Sequence, residues 1–193
     1  MAHIALDVDG VLLNSQTPFL QYANAKYGTA CRFQDIRSFD FSSLFGISSH
    51  QLAEDFAAFF QSLAYTSLIK PFRDTQQYVR ALAQHHKLSV VTARPIAFEN
   101  LTAASLAHYF DGCFQDIYHT SGPLDQPANK GDLCKKIGAK ILVEDSLENA
   151  CEVMQRGVPA VLIRRPWNTG EKLPNGLRRT TWPNLGRAIR RTF

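Results

Sequence analysis

Two acidic residues near the N-terminus stand where side chains can do chemistry. Asp7 and Asp9 follow an apolar run at positions 4–6 and precede Gly10. Residues alternate through this stretch as they do in a strand, and side chains two positions apart share one face. Paired acids at the end of a buried strand are costly unless they bind a metal or take part in catalysis. We therefore predict Asp7 as a nucleophile and Asp9 as an acid/base, with Mg²⁺ between them.

Three more polar clusters follow in the chain. Thr92 and the pair Glu144-Asp145 each come directly after an apolar strand, and Lys130 stands at the start of a helix. Each also has an ordinary structural explanation, because a threonine or an acid at such a place also caps helices and most lysines lie at the surface. Ligands of α/β proteins gather at the carboxyl ends of strands. In this order the clusters therefore predict a phosphate and metal site.

The elements that must position these residues are a first strand near the N-terminus and the strands and helices that alternate regularly after position 70. Helices separate about five predicted strands, at positions 4–8, 88–91, 114–118, 140–143 and 158–163. This order predicts an α/β fold with a parallel sheet wrapped by helices on both faces. We expect residues 1–13 and 71–193 to form that core, and residues 14–70 to form a small helical insertion after the first strand.

The insertion is rich in aromatic residues. Ser48 and Gln51 form a predicted capping box before a helix over 50–63 whose apolar stripe includes Phe56, and we expect that stripe to be core. The loop from Phe33 to Phe45 has four phenylalanines without a clear period. These rings would either pack the insertion's own core or face a ligand.

Composition places the chain among ordinary globular proteins. It has 193 residues, 45% hydrophobic and 20% charged, which predicts one domain or one domain with a sizeable insertion. We find no apolar run of about eighteen residues and no secretory leader, so we expect a cytoplasmic protein. Four widely spaced cysteines favour reduced thiols over a disulfide framework or a zinc site, although one bridge stays open.

The net charge of +4 is unevenly distributed. From Arg164 onward the chain has eight Lys and Arg residues and one acid, Glu171. Such a basic tail would either touch nucleic acid or another anionic partner, or form a solvated face that helps to draw in anionic substrates. The tail has no RNA-binding signature. We therefore favour the second interpretation, and expect neither a nucleic-acid nor a membrane partner.

A known superfamily has motifs of this kind in this order. The motifs are Asp7-Val8-Asp9-Gly10-Val11, Thr92, Lys130 and Glu144-Asp145. They resemble the four motifs of the haloacid dehalogenase-like (HAD) superfamily, which implies a Rossmann-like sheet with a helical cap. A finer resemblance to the 5′(3′)-deoxyribonucleotidase-type branch and its uncharacterised bacterial relatives rests on positions 91–95, 143–150, 165–168 and Trp182.

The resemblance implies a role for each motif residue. Asp7 would form an aspartyl-phosphate, and Asp9 would protonate the leaving oxygen and then deprotonate water. An acid at position 9 separates phosphatases from dehalogenases in this superfamily. Thr92, the Ala93 N–H and Lys130 would hold the phosphoryl group. Arg94 would either bind phosphate as a fork or pair with a structural acid.

The same resemblance implies a metal site. Mg²⁺ would take Asp7, the backbone carbonyl of Asp9 and Asp145, while Glu144 would bind through water or support the ligands. The chain departs from the common pattern in having Glu-Asp where many members have Asp-Asp. Asn149 stands where some branches carry another acid, and we interpret it as structural. The residues after Thr92 also differ from the nucleotidase pattern, which leaves the nucleotide specificity open.

These observations predict a Mg²⁺-dependent phosphomonoester hydrolase that acts on a small phosphorylated metabolite, with nucleoside monophosphates as the candidate class. One alternative is a HAD-fold binding protein that uses its basic tail. Another is a different HAD chemistry, such as phosphonate cleavage or phosphoryl transfer to a sugar, for which Lys26 and Lys70 stay open as Schiff-base lysines. The protein would be a monomer or a homodimer.

Overall fold

A computed structural model of the chain describes residues 1–121 and 128–190. The strands in these ranges are β1 (His3–Leu6), β2 (Leu13–Asn14), β3 (Lys70–Pro71), β4 (Lys87–Thr92), β5 (Ile117–His119), β6 (Ile141–Glu144), β7 (Ala160–Ile163) and β8 (Arg178–Thr180). The helices there are α1 (Gln16–Tyr27), α2 (Ser49–Gln61), α3 (Leu63–Thr66), α4 (Thr75–Ala83), α5 (Glu99–Phe110), α6 (Lys130–Lys136), α7 (Leu147–Gln155) and α8 (Trp182–Arg190).

Six strands form one sheet in the order β5-β4-β1-β6-β7-β8, and every neighbouring pair is parallel. β1 lies at the centre, with Leu6 opposite Val90 of β4 and Val143 of β6. This sheet confirms the predicted α/β, Rossmann-like fold. Because β4 and β6 flank β1, the residues that follow these three strands meet at one edge of the sheet.

The central strands are apolar on both faces because helices cover both faces. Ile4 and Leu6 of β1 face one buried cluster, which includes side chains of α4, α5 and α8. Ala5 faces a second cluster with Leu142 and with side chains of α6 and α7. Alternate side chains of β1 are thus buried in two different clusters. This packing on both faces fixes the position of the acids that follow the strand.

Three helices follow the first strand in the segment for which the sequence predicts a cap. α1, α2 and α3 lie between β2 and β3, which pair with each other as a separate antiparallel two-stranded sheet. Phe19 of α1 stacks on Phe56 of α2 with ring centroids 3.7 Å apart and planes at 3°. Buried Asp55 joins the two helices as well, since it accepts from Lys26 and Tyr27.

The cap helix α2 begins as predicted but ends earlier. The Ser48 hydroxyl accepts a hydrogen bond from the backbone N–H of Gln51 at 3.1 Å. The Gln51 side chain, which the capping box would place on the backbone of Ser48, donates to Asp55 instead. The helix ends at Gln61 rather than at Leu63. A capping box would have the Gln51 side chain accept from the exposed N–H of Ser48, but donating to the buried Asp55 carboxylate is the stronger interaction, and Asp55's burial is invisible in the local pattern.

Two elements at the end of the chain have no counterpart among the predicted elements, and one strand begins later than predicted. β8 and α8 are rich in arginine, so their apolar signal is weak. The third strand, which was expected from Phe114, begins at Ile117. Much of the predicted basic tail therefore belongs to these two elements, and its last arginine, Arg191, lies outside the described residues. No helix in the described ranges is long and apolar enough to cross a membrane.

Candidate active site

The sheet brings the predicted motif residues together at its carboxyl edge. Asp7 follows β1, Thr92 ends β4, Glu144 ends β6, and Asp145 follows it. Lys130, the first residue of α6, reaches the same point. All five are buried. Their side chains meet because parallel strands end side by side, which sequence distance alone does not show.

Lys130 is the positive centre of this group. Its Nζ lies 2.8 Å from Oδ2 of Asp7 and 3.2 and 3.3 Å from the two carboxylate oxygens of Glu144. Burial by itself would lower the pKa of Lys130, but the charges of Asp7 and Glu144 outweigh it and raise that pKa. Lys130 is therefore a permanent cation at the acids.

Three carboxylates, from Asp7, Glu144 and Asp145, lie near enough to hold a metal ion together, with ligand atoms within 4.8 Å of one another. Oδ1 of Asp7 is buried and has no hydrogen-bond partner among the described residues. Burial and the neighbouring Asp7 raise the pKa of Asp145 well above its usual range, and burial also raises that of Glu144. An all-oxygen donor set with excess negative charge fits a divalent hard cation such as Mg²⁺.

The two acids of the last motif have different surroundings. Glu144 accepts hydrogen bonds from Lys130 and, at 2.6 Å, from the Asn149 side chain. Asp145 accepts from the indole N–H of Trp167 at 3.0 Å through Oδ2. Glu144 is thus held mainly by the protein, and Asp145 keeps one side-chain oxygen free of the indole. Asn149 holds Glu144, in agreement with its interpretation as structural.

Gly10 allows the first and last motifs to touch. Its φ is +75°, a backbone conformation that favours glycine. A Cβ built at this position would lie 1.9 Å from Oδ2 of Asp145 and 3.1 Å from the ring of Trp167. Any side chain here would displace the Asp145 carboxylate, so the glycine of the motif is required for the present position of Asp145.

Asp9 is held by Arg94. The Arg94 guanidinium donates from Nε to Oδ2 and from Nη2 to Oδ1 of Asp9, both at 2.7 Å. Its other contacts are the hydroxyl of Thr102 and the ring of Phe60, 4.8 Å from the guanidinium carbon. Burial alone would raise the pKa of Asp9, but the charge and hydrogen bonds of Arg94 lower it. Of the two contacts foreseen for Arg94, the structure contains the one with an acid.

The turn after β4 is held by residues that the sequence motifs did not indicate. The Thr92 hydroxyl accepts from the backbone N–H of Arg94 at 3.2 Å. A ring nitrogen of His119 lies 2.9 Å from the Arg94 carbonyl, and Ser121 donates to the same carbonyl at 3.3 Å. Ala93 is exposed in the cavity. The turn thus exposes Ala93 to the cavity, while His119 of β5 and Ser121 hold its backbone.

The segment after β7 braces the first and last motifs. The Arg165 side chain donates to the carbonyl of Gly10 at 2.6 Å and lies 3.6 Å over the ring of Phe72. Asn168 donates to the carbonyls of Asp145 and Ile163 at 2.8 and 2.9 Å. Sequence reasoning noticed this stretch only through the finer resemblance and gave it no role. Arg165, counted in the basic tail, is part of the site.

A cavity of about 490 Å³ lies between the sheet edge and the cap. Its floor contains Asp7, Asp9, Thr92, Ala93 and Asp145. Its cap wall is mostly apolar and includes Phe41, Leu52, Phe56, Ala57 and Phe60. An anionic group therefore meets charged and polar atoms at one end, and an apolar group attached to it meets rings at the other.

The rings of the aromatic loop in the cap fall into two groups, one that packs in the protein interior and one that lines the cavity. Phe41 and Phe45 are buried against Phe19, and Phe41 also lines the cavity. Phe33 packs on Trp167 and Phe72, which places it at the junction with the core. Phe39 lines the cavity and is 53% exposed. Some rings of this loop thus pack the cap, while others face the space where a ligand would lie.

Solved structures of low sequence identity share the fold. A haloacid dehalogenase-like hydrolase from Streptococcus pneumoniae superimposes with a TM-score of 0.70 at 16% identity, covering 98% of each chain. A HAD family hydrolase from Deinococcus radiodurans, which was crystallised with bound phosphate and sodium, gives a TM-score of 0.65 at 15% identity, covering 100% of this chain and 96% of its own. The chain thus has the HAD fold.

Sequence comparisons identify the family of the chain. A protein from Halalkalibacterium halodurans, described as a "putative nucleotidase", is 24% identical over 178 residues, or 92% of this chain and 87% of its own. The sequence model of the family described as 5′ nucleotidase, deoxy (pyrimidine), cytosolic type C protein matches residues 1–191. The chain therefore belongs to this family and is a phosphomonoester hydrolase of the HAD superfamily.

Proposed function

We propose that this hydrolase is a Mg²⁺-dependent phosphatase of nucleoside monophosphates that works through an aspartyl-phosphate on Asp7. One observation supports this most strongly. Asp7 and Asp145 lie at the floor of a cavity whose opposite wall is apolar and aromatic, and buried Lys130 contacts Asp7. The family description and the relative from H. halodurans both name nucleotidases, which agrees with this substrate class.

The metal would be held by Asp7, Asp145 and the backbone carbonyl of Asp9, with Glu144 supporting them. When bound, Mg²⁺ offsets the negative charge of the acids and polarises the phosphoryl oxygens, so a phosphate dianion can approach. The unpartnered Oδ1 of Asp7 and the raised pKa of Asp145 agree with a cation in this position.

In the first half of the reaction a carboxylate oxygen of Asp7 attacks phosphorus. A bond from Asp7 to phosphorus forms, and the bond from phosphorus to the ester oxygen breaks. Lys130, whose Nζ is already 2.8 Å from Asp7, orients that carboxylate. Lys130, the Thr92 hydroxyl and the Ala93 N–H would hold the transferring group in line. The leaving oxygen takes its proton from Asp9.

Asp9 must change partners to act in this way. In the structure its carboxylate accepts twice from Arg94, which holds it ionised. A phosphate dianion entering the cavity offers the Arg94 guanidinium a competing acceptor, so phosphate binding would release Asp9 to take up a proton from solvent. Arg94 thereby serves in both roles foreseen for it, pairing with an acid at rest and with phosphate in the complex.

In the second half of the reaction, Asp9 takes a proton from water as the water oxygen attacks phosphorus. The bond between Asp7 and phosphorus breaks, inorganic phosphate leaves, and Asp7 returns to its carboxylate form. The cap would limit the access of bulk water to this step, since its rings line the wall opposite the carboxylates.

The remaining assignments follow from the same arrangement. We propose residues 14–70 as the cap that contacts the leaving group, and residues 1–13 with 71–193 as the core that does the chemistry. An interaction surface formed by the basic tail, a cytoplasmic location and a monomeric or homodimeric state stay predictions. Lys26, one of the two candidate Schiff-base lysines, is paired with Asp55 inside the cap.

A panel of phosphorylated metabolites tests the proposal. Purified protein is incubated with deoxynucleoside monophosphates, ribonucleoside monophosphates and sugar phosphates, and released phosphate is measured with Mg²⁺, with EDTA, and with Mg²⁺ restored. We expect deoxynucleotides to give the highest kcat/KM and EDTA to stop turnover reversibly. Full activity in EDTA would contradict the metal, and a clear preference for sugar phosphates would contradict the substrate class.

A further inference from the structure

Gln16 is a buried polar residue in the cavity wall that the mechanism does not use. It is the first residue of α1, and it lines the cavity together with Asp7 and Asp9. The residue is only 8% exposed, and its side-chain carbonyl oxygen Oε1 has no hydrogen-bond partner among the described residues. A buried acceptor without a donor is costly, so native proteins seldom keep one without a purpose.

The helix directs this side chain toward the ligand space. Gln16 shares the buried face of α1 with Phe19, Leu20 and Ala23, at spacings of three and four residues. Phe19 packs against Phe56, which itself lines the cavity. Gln16 is thus the polar end of an otherwise apolar face.

The position of Gln16 along the cavity is set by its neighbour. Ser15 and Gln16 line the cavity together with Asp7 and Asp9, so Gln16 begins the cap wall beside the catalytic carboxylates. Further along the wall, Leu52, Phe56 and Phe60 have no polar side-chain atoms. A bound ester would therefore place the part next to its phosphate near Gln16, and its more distant, flat part against the rings.

Resting on the proposed function, we propose that Gln16 is a specificity-determining residue whose side-chain carbonyl accepts a hydrogen bond from a sugar hydroxyl of the leaving nucleoside. In a nucleoside 5′-monophosphate the sugar adjoins the phosphate, and its 3′-hydroxyl is a donor. The base, further away, would pack on the apolar wall. Gln16 would select nucleosides over smaller or fully apolar alcohols without taking part in bond breaking.

A cycle of one enzyme change and one substrate change tests this contact. Thymidine 5′-monophosphate and its 3′-deoxy analogue are compared with the wild type and with Gln16→Leu. We expect removal of the hydroxyl to lower the wild-type kcat/KM about tenfold or more, and Gln16→Leu to hydrolyse both nucleotides within about twofold of each other. A hydroxyl preference that persists unchanged in Gln16→Leu would overturn the assignment.

Two controls separate the contact from a structural role. Gln21→Leu, on the exposed side of the same helix, should keep the wild-type preference. Phenyl phosphate has no sugar hydroxyl that could donate to Gln16, so its turnover by Gln16→Leu should stay within about twofold of the wild type. An equal loss on every substrate would overturn the inference in favour of a structural role. Wild-type protein that hydrolyses phenyl phosphate but no nucleotide would overturn both this inference and the proposed substrate class.

Discussion

The floor and the cap wall of the cavity are built on opposite principles. The floor buries three carboxylates around one lysine, and Asp9 is paired with Arg94 beside them. The cap wall buries rings that contact one another, with centroid distances from 3.7 to 6.5 Å in the group around Phe19. Charge needs exact partners (each lost partner costs several kcal/mol), whereas apolar packing tolerates substitution. We therefore expect floor variants to affect all substrates alike and cap variants to change their ratios.

The largest effect is expected at the nucleophile. Asp7→Asn should lower turnover of every phosphomonoester by roughly 10⁴-fold or more, because the amide cannot attack phosphorus. The fold should persist, since Lys130 keeps its contacts with Glu144. Phosphate release and circular dichroism measure the two effects, and Asp111→Asn, at the exposed C-terminal end of α5, is the control. Wild-type activity in Asp7→Asn would refute the nucleophile assignment.

The next effect concerns the buried cation. Lys130→Met leaves the carboxylates of Asp7 and Glu144 without their ammonium partner, so unfolding free energy should fall by about 3–5 kcal/mol. Activity should fall about 10²-fold or more on all substrates. Urea titration of Lys130→Met and of Lys135→Met, an exposed lysine on the same helix, compares the two positions. Equal stability of the two variants would mean that the floor does not depend on this ion pair.

Metal binding should depend on pH in a defined direction. The pKa of Asp145 is raised, so at mildly acidic pH the folded protein holds a proton that a metal must displace. Apparent Mg²⁺ affinity should therefore rise about tenfold between about pH 6 and about pH 8. Without metal, stability changes with pH in the opposite direction to metal affinity. The folded state binds more protons than the unfolded state, so the free energy of unfolding declines as pH rises. Calorimetric titration and thermal unfolding at both pH values check these directions, and an affinity independent of pH would contradict them.

The smallest effect is expected in the cap wall. Phe56→Leu keeps an apolar side chain but removes the ring that stacks on Phe19 and lines the cavity. We expect kcat/KM for nucleotides to fall about 3- to 10-fold, while that for glycerol phosphate, which has no ring, changes little. Leu63→Ala, on an exposed cap residue, is the control. An equal loss on both substrates would remove the distinction between floor and cap.

The core was more predictable than the cap. Buried parallel strands are apolar on both faces, so β1, β4, β6 and β7 appear in the sequence as short apolar runs followed by polar motifs. β8 was missed because an edge strand is half exposed and here contains two arginines. In the cap the aromatic loop has no period, so its division between core packing and the cavity could not be predicted. The partner of the Gln51 side chain was hidden for the same reason, since Asp55 reaches it only once α1 and α2 are packed.

The sequence by itself determined the reaction class, because Asp7, Asp9, Thr92, Lys130 and the Glu144-Asp145 pair are tied to strand and helix ends that local patterns reveal. Only the tertiary structure decided which groups meet. It placed Arg94 on Asp9, Trp167 on Asp145 and Arg165 on the carbonyl of Gly10, contacts that join residues 22 to 155 positions apart. It also turned Gln16 into the cavity. Periodicity reports which side of an element is buried, but the partners of a buried polar group depend on how the sheet order and the cap bring distant segments together.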